Sequence, residues 1–314
     1  TQHHPAGAQS MSHLLSQLWL AQASEAGAVG ATADSIVSWL LGNGGAVFSL
    51  INTVILVLTA IVEQLLNAPA PWLFALVVAL LGLWRVSAAF SLLSLLGLNL
   101  VQAMGLWEPM VSSLALVLTA SLLALAIGLP LGVLAARQRS IWQLTRPLLD
   151  LMQTMPAFVY LIPAVMLFST GAVPSVIATL IFAMPPVVRL TVLGIRQVPA
   201  DLIEAGRSFG CSEWQLLTKV QLPNALPTLM TGVNQTIMLA LSMVVIASMI
   251  GGGGLGDVVL RGIQQLNIGL GFEGGLAVVI LAVILDRLSQ SLSTPPSRSV
   301  RDRVRSLATL WRIR

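Results

Sequence analysis

Charge is what this sequence most lacks. Only 9% of its 314 residues are Asp, Glu, Lys or Arg, against roughly 25% in a soluble domain. Sixteen basic and 12 acidic side chains cannot wet the surface of a soluble chain this long, so that class is excluded. Cysteine is reduced to Cys211, which rules out an intrachain disulfide and fits no metal-ligand spacing. Lysine is reduced to Lys219, and no G-x-x-x-x-G-K-S/T run occurs, so the phosphate loop of an ATPase is missing. Carboxylates are scarce in the centres of the apolar runs, which argues against an ion-coupled carrier working alone.

What is present is apolar, at 56% of the residues. A bilayer core of about 30 Å is crossed by about 20 helical residues, and several runs reach that length. The fold class expected is therefore an all-α integral membrane protein, a polytopic helical bundle. Residues 1–45 read as a tail of small and polar residues ending in a turn at Gly42-Asn43-Gly44-Gly45. No Lys or Arg is available there for a secretory leader, and His3 and His4 read as tail rather than metal ligands. Residues 46–107 give an amphipathic segment, 46–66, and two short accessory spans on either side of Arg85. Placing Arg85 at a turn avoids the roughly 2.5–3.5 kcal/mol that a charge costs at the centre of an inserted helix. Further spans are expected at 109–135, 148–169, 174–195, 223–250 and 271–290.

The basic residues orient these spans. Arg137, Arg139 and Arg146 share one loop, Arg196, Arg207 and Lys219 share another, and six arginines occupy the tail from Arg298. All three regions fall on one side if that side is cytoplasmic. Seven spans, with the N-terminus outside and 46–66 lying in the interface, satisfy this count. Eight spans with an inside N-terminus remain the alternative. Within the basic tail, 292–314, Val300, Val304, Leu307 and Trp311 fall at helical spacing, as in a helix lying on anionic lipid. Nothing else in the chain points to nucleic acid.

The loop over 199–222 is longer and more patterned than a connector needs to be. Asp201 and Glu204 form a box-like helix start after Pro199, Gly210 supplies a stop, and Ser212 with Gln215 starts a second helix. The reading is two short helices parallel to the membrane, with Trp214, Leu217 and Val220 as the apolar face of the second. Ala205, Gly206 and Gly210 would allow close approach by a partner, beside the Glu204 carboxylate. Leu222-Pro223 then opens the next span.

Here the sequence resembles the permease subunits of ABC importers. Their cytoplasmic loop reads Glu-Ala-Ala, three residues, Gly, nine residues, Ile, one residue, Leu-Pro. Glu204, Ala205, Gly206, Gly210, Val220, Leu222 and Pro223 reproduce that spacing, with Gly206 for the second Ala and Val220 for Ile. The runs Pro147–Asp150, Met152–Leu161, Pro185–Leu190, Gly232–Thr236, Ala247–Ile250 and Leu285–Leu288 look like the glycine betaine/proline betaine branch. Similarity runs from about residue 70 to 290 and fades in both tails.

The resemblance implies a type I importer-like core of five helices over 108–291. It also implies a homodimer in the bacterial cytoplasmic (inner) membrane, two ATPase subunits carrying ATP and Mg, and an external substrate-binding protein. Glu204 would seat the loop in the ATPase, Gly210 would permit its turn, and Pro223 would pass motion to the span. The chain itself would be neither an enzyme nor a cofactor carrier. Phe158, Tyr160 and Arg189 are the residues proposed to line the translocation path. Gly251–Gly256 formally contains G-x-G-x-x-G, but it follows a span rather than a strand, so it reads as a flexible span end. Arg146 and Asp150 read as a local ion pair, and Asp286-Arg287 as an interface anchor.

Overall fold

The computed structural model describes residues 28–293, and every regular element among them is a helix. The chain divides into two units at Ile51/Asn52. The first contributes the start of α1 (Ala28–Asn67), which runs through Gly42-Asn43-Gly44-Gly45 without a break. The expected turn there is overruled, at a cost of about 1 kcal/mol for each of the glycines the helix takes in. From Gly42 to Asn67 this helix is long and apolar enough to cross a membrane. Length thus argues against assigning 46–66 to the interface alone. The readings for 1–27 and for the basic tail beyond Ser293 lie outside the described residues.

The second unit holds a helical pair, α2 (Pro71–Arg85) and α3 (Ala88–Ala103), hinged beside Arg85 as the charge argument required. Ser87 caps α3 by accepting from the Phe90 N–H at 3.2 Å. At 15 and 16 residues and 1.5 Å of rise per residue, each is about 22–24 Å long, short of a full bilayer core. The core follows: α4 (Trp107–Arg137), α5 (Arg139–Thr154), α6 (Ala157–Phe168) and α7 (Ala172–Arg196). After the loop come α10 (Leu222–Ala247), α11 (Gly254–Gln264) and α12 (Ile268–Ser293). Among the described residues five helical stretches pass the length test, or six if α5 and α6 count as one broken span, so seven is an approximate count.

Helix α7 is the centre, packed between α4 and α10. Its Met184, Val187 and Val188 meet Ala124 of α4 and Leu149 and Met152 of α5 in one buried cluster. Small residues let these backbones approach, as membrane bundles require without a strong hydrophobic drive between helices. A methyl on Gly132, for example, would sit 2.6 Å from Thr191 Cβ. Helix α7 runs uninterrupted through Pro185-Pro186.

The expected span 148–169 is instead broken, with α5 and α6 meeting at 102°. The cause is Pro156, which has no N–H to give the Met152 carbonyl four residues earlier. Tyr160, the single tyrosine of the chain, fills that vacancy by donating its hydroxyl to Met152 O.

Two further differences from the sequence reading fall after α10 in the chain. The glycines at 251–256 do not fray: α11 begins at Gly254, and the Leu255 N–H donates to Ser113 Oγ of α4 at 2.7 Å. Asp286 lies within α12 rather than at its end. It accepts from Gln290 Nε2 at 2.6 Å and faces Asn234 Nδ2 of α10 at 3.5 Å, while Ser289 donates to Asn234 Oδ1. Asp286 thus belongs to a polar clasp between two spans.

Candidate functional site

The loop between α7 and α10 is built to hold its shape. Helix α8 covers Ala200–Ser208, opening after Pro199 with Asp201 in its first turn. No side chain caps that start, so the Asp201–Glu204 box is absent; proline fixes the entry instead. The helix ends in a Schellman arrangement, with Cys211 N–H to Gly206 O at 3.1 Å and Gly210 N–H to Arg207 O at 2.9 Å. Gly210 sits at φ +79°, where a side chain would be strained. Ser212 and Gln215 form the expected reciprocal capping box, with bonds of 2.9 and 3.3 Å. Arg207 closes the corner on Glu213 at 3.3 Å.

The second half of the loop departs from expectation. The short α9 (Glu213–Gln215) passes through a π-helical turn, Leu216–Gln221, directly into α10. It is the first turns of the span rather than a separate surface helix. The Leu222 N–H reaches five residues back to Leu217 O, a wide turn that also suits Pro223, which has no N–H for the usual four-residue bond. The buried apolar residues are Leu216 and Leu217, and Trp214 points outward at 66% exposure.

The seven motif residues therefore separate into two sets. Glu204 and Ala205 are exposed on α8, and Pro223 is exposed at the start of α10. Gly206 is buried: a methyl there would lie 2.8 Å from Leu216 Cδ1 and 3.6 Å from Val220 Cγ2. Its smallness admits the loop's own second half, not a partner. Leu222 packs against Ile195, Leu217, Ala225 and Leu229, which locks the loop to α7 and α10. The same loop exposes Leu202, Phe209 and Trp214, with Phe209 89% exposed. A carboxylate among exposed large apolar side chains, on a backbone held by caps, makes a surface suited to a protein partner. Sequence reasoning missed Leu202 and Phe209, whose exposure depends on how α8 is docked.

The three residues proposed for a translocation path differ in their surroundings. Phe158 is half-exposed in the first turn of α6. Tyr160 is buried with Leu161, Ala164, Ala178 and Met243, its hydroxyl committed to Met152. Arg189 pairs across helices with Asp150, which Arg146 Nε also approaches at 4.0 Å. The 146–150 spacing was legible as an i,i+4 pair, but the stronger partner stands 39 residues away. Tyr160 and Arg189 thus hold α5 and α6 in place, one at the break and one to α7.

Among the described residues the chain is thus a multi-span helical bundle with a capped loop, Ala200–Gln221, that exposes a carboxylate and large apolar side chains. The comparisons make this specific. Residues 128–294 match the family described as "Binding-protein-dependent transport system inner membrane component". The glycine betaine/proline betaine transport system permease protein ProW of Escherichia coli is 53% identical over 258 residues, 82% of this chain and 72% of that protein. The glycine betaine transport system permease protein OpuAB of Bacillus subtilis is 46% identical over 260 residues, 82% of this chain and 92% of that protein. In fold alone, a structure of the MetNI methionine ABC transporter in inward-facing conformations superposes with a TM-score of 0.55 at 22% identity, over 62% of this chain and 96% of that one. The chain belongs to the family of binding-protein-dependent transport system inner membrane components. It is a multi-pass ABC importer permease and not itself an enzyme; the ATPase is a separate subunit.

Proposed function

We propose that this chain forms the translocation pathway for glycine betaine or a closely related quaternary-amine osmoprotectant. Two copies would stand beneath an external binding protein, each docked on one ATPase. The observation that carries this is the surface of the loop that bears Glu204: an exposed carboxylate on a loop that also exposes Leu202, Phe209 and Trp214 and is fixed by Gly210 and the Ser212 box. Substrate class is supported by the names of the relatives, which transport glycine betaine, proline betaine or carnitine. The orientation proposed, with the loop and C-terminus cytoplasmic, rests on the placement of the arginines. ATP and Mg act on the partner subunit. When the ATPases close, α8 moves, and the unbroken path from Leu216 through Pro223 carries that motion into α10.

The test is uptake of labelled glycine betaine into proteoliposomes containing the partner ATPase and binding protein, with and without internal ATP. ATP-dependent accumulation is expected. Glu204→Lys, on an exposed face, should abolish accumulation while the protein remains inserted and monodisperse. Unchanged uptake by that variant would remove Glu204 from the docking surface. Uptake that ignores ATP and both partners would instead indicate a carrier acting alone.

A further inference from the structure

A second feature on the same side of the molecule is a cleft between the C-terminal end of α4, the start of α5 and the C-terminal end of α7. One compartment, of about 530 Å³, is lined by Arg137, Arg139, Arg146, Arg196, Trp142 and Gln143. It shares Trp142, Arg146 and Arg196 with a more apolar compartment of about 410 Å³ that continues along α7 past Leu190, Val192 and Leu193. Five arginines, counting Arg189, line the two compartments together with one carboxylate, Asp150, which Arg189 and Arg146 already pair. Glu213 approaches Arg137 and Arg196 from the loop side but is paired with Arg207.

The arginines do not all have the same freedom. Arg196 lies over the Trp142 ring at 5.5 Å and donates to Ala135 O at 2.8 Å and Ala136 O at 3.3 Å, capping the last turn of α4. Arg137 and Arg139 are exposed and have no carboxylate within ion-pair distance among the described residues. Concentrated positive charge with an adjoining apolar channel is the pattern of an amphiphile with an anionic head.

We infer that this cleft binds an anionic phospholipid, its phosphate held by Arg137, Arg139 and Arg146 and its acyl chains lying along Leu190 and Leu193. The inference rests on the membrane reading given above. The apolar compartment favours lipid over an acidic protein surface, because an acidic protein face would leave Leu190 and Leu193 without a complement. The cytoplasmic leaflet is the anionic one, and basic side chains near it gain roughly a five-fold affinity each.

The experiment is native mass spectrometry of the full chain in detergent, titrated separately with phosphatidylglycerol and phosphatidylcholine. Preferential retention of phosphatidylglycerol is expected. Arg137→Gln with Arg139→Gln should lower its apparent affinity about 30-fold, whereas Arg137→Lys with Arg139→Lys should retain most of it and serve as the folded control. Equal retention of both lipids, or no loss in the Gln pair, would overturn the site. Displacement of phosphatidylglycerol by millimolar inorganic phosphate would reassign it to free anions. Loss of ATPase co-purification in the Gln pair with lipid retention intact would reassign the arginines to the protein partner. Because the readout is lipid retention, its failure is distinguishable from a failure of transport.

Discussion

At the scale of single residues, position in the bundle reassigns side chains that look alike in sequence. Tyr160 is an aromatic in an apolar run, a natural candidate for holding a quaternary ammonium by its ring face. Its hydroxyl instead satisfies the carbonyl that Pro156 leaves without a donor. Inside a bilayer no water replaces such a partner, so proline breaks persist only where another group supplies the bond. Tyr160→Phe is therefore expected to cost about 1–2 kcal/mol, the upper range for a polar contact between membrane helices. The thermal midpoint in detergent should fall; an unchanged midpoint would return Tyr160 to the candidates for the pathway. Arg189 has the same lesson, since its pairing with Asp150 joins α7 to α5 and gives a partly exposed charge within a span a structural reason to be there.

At the scale of elements, the loop 199–222 shows why a motif's spacing and its packing are separate facts. Glu204 and Gly206 are two residues apart, yet one faces outward and the other faces Leu216. A methyl at Gly206 meets only the flexible end of the Leu216 side chain, so Gly206→Ala should preserve transport. The family pattern, which has Ala there, fits this expectation. A ring cannot be absorbed: Gly206→Phe should separate α8 from the π-helical turn and reduce ATPase co-purification at least ten-fold. Retained co-purification would show that α8 docks without support from Leu216. The capping signals were legible because Ser212, Gln215 and Gly210 act on backbone groups within a few residues. The fusion of the second loop helix with α10 was not, because Leu222-Pro223 resembles a helix start, whereas the π turn lets the helix pass through.

At the scale of the whole molecule, the second unit carries its own core, built on α7 between α4 and α10. Deleting residues 1–41 keeps the stretch Gly42–Asn67 whole. It should leave the thermal midpoint and ATPase co-purification of the remaining chain unchanged. A lower midpoint would mean that residues before Gly42 contribute to the core.

Membrane residence, helical class, the hairpin at Arg85 and the location of the patterned loop 199–222 follow from the sequence by itself. Each depends on local composition: apolar run length, the cost of an inserted charge, and capping groups close in the chain. The break at Pro156 with its Tyr160 clamp, the Arg189–Asp150 pair, the Asn234–Asp286–Ser289 clasp and the arginine cleft were decided only by tertiary structure. They join residues tens of positions apart, and in a chain with so few polar groups each finds its partner only when the helices are placed. Spacing along the chain gives the loop 199–222; packing across it decides which of its residues remain exposed.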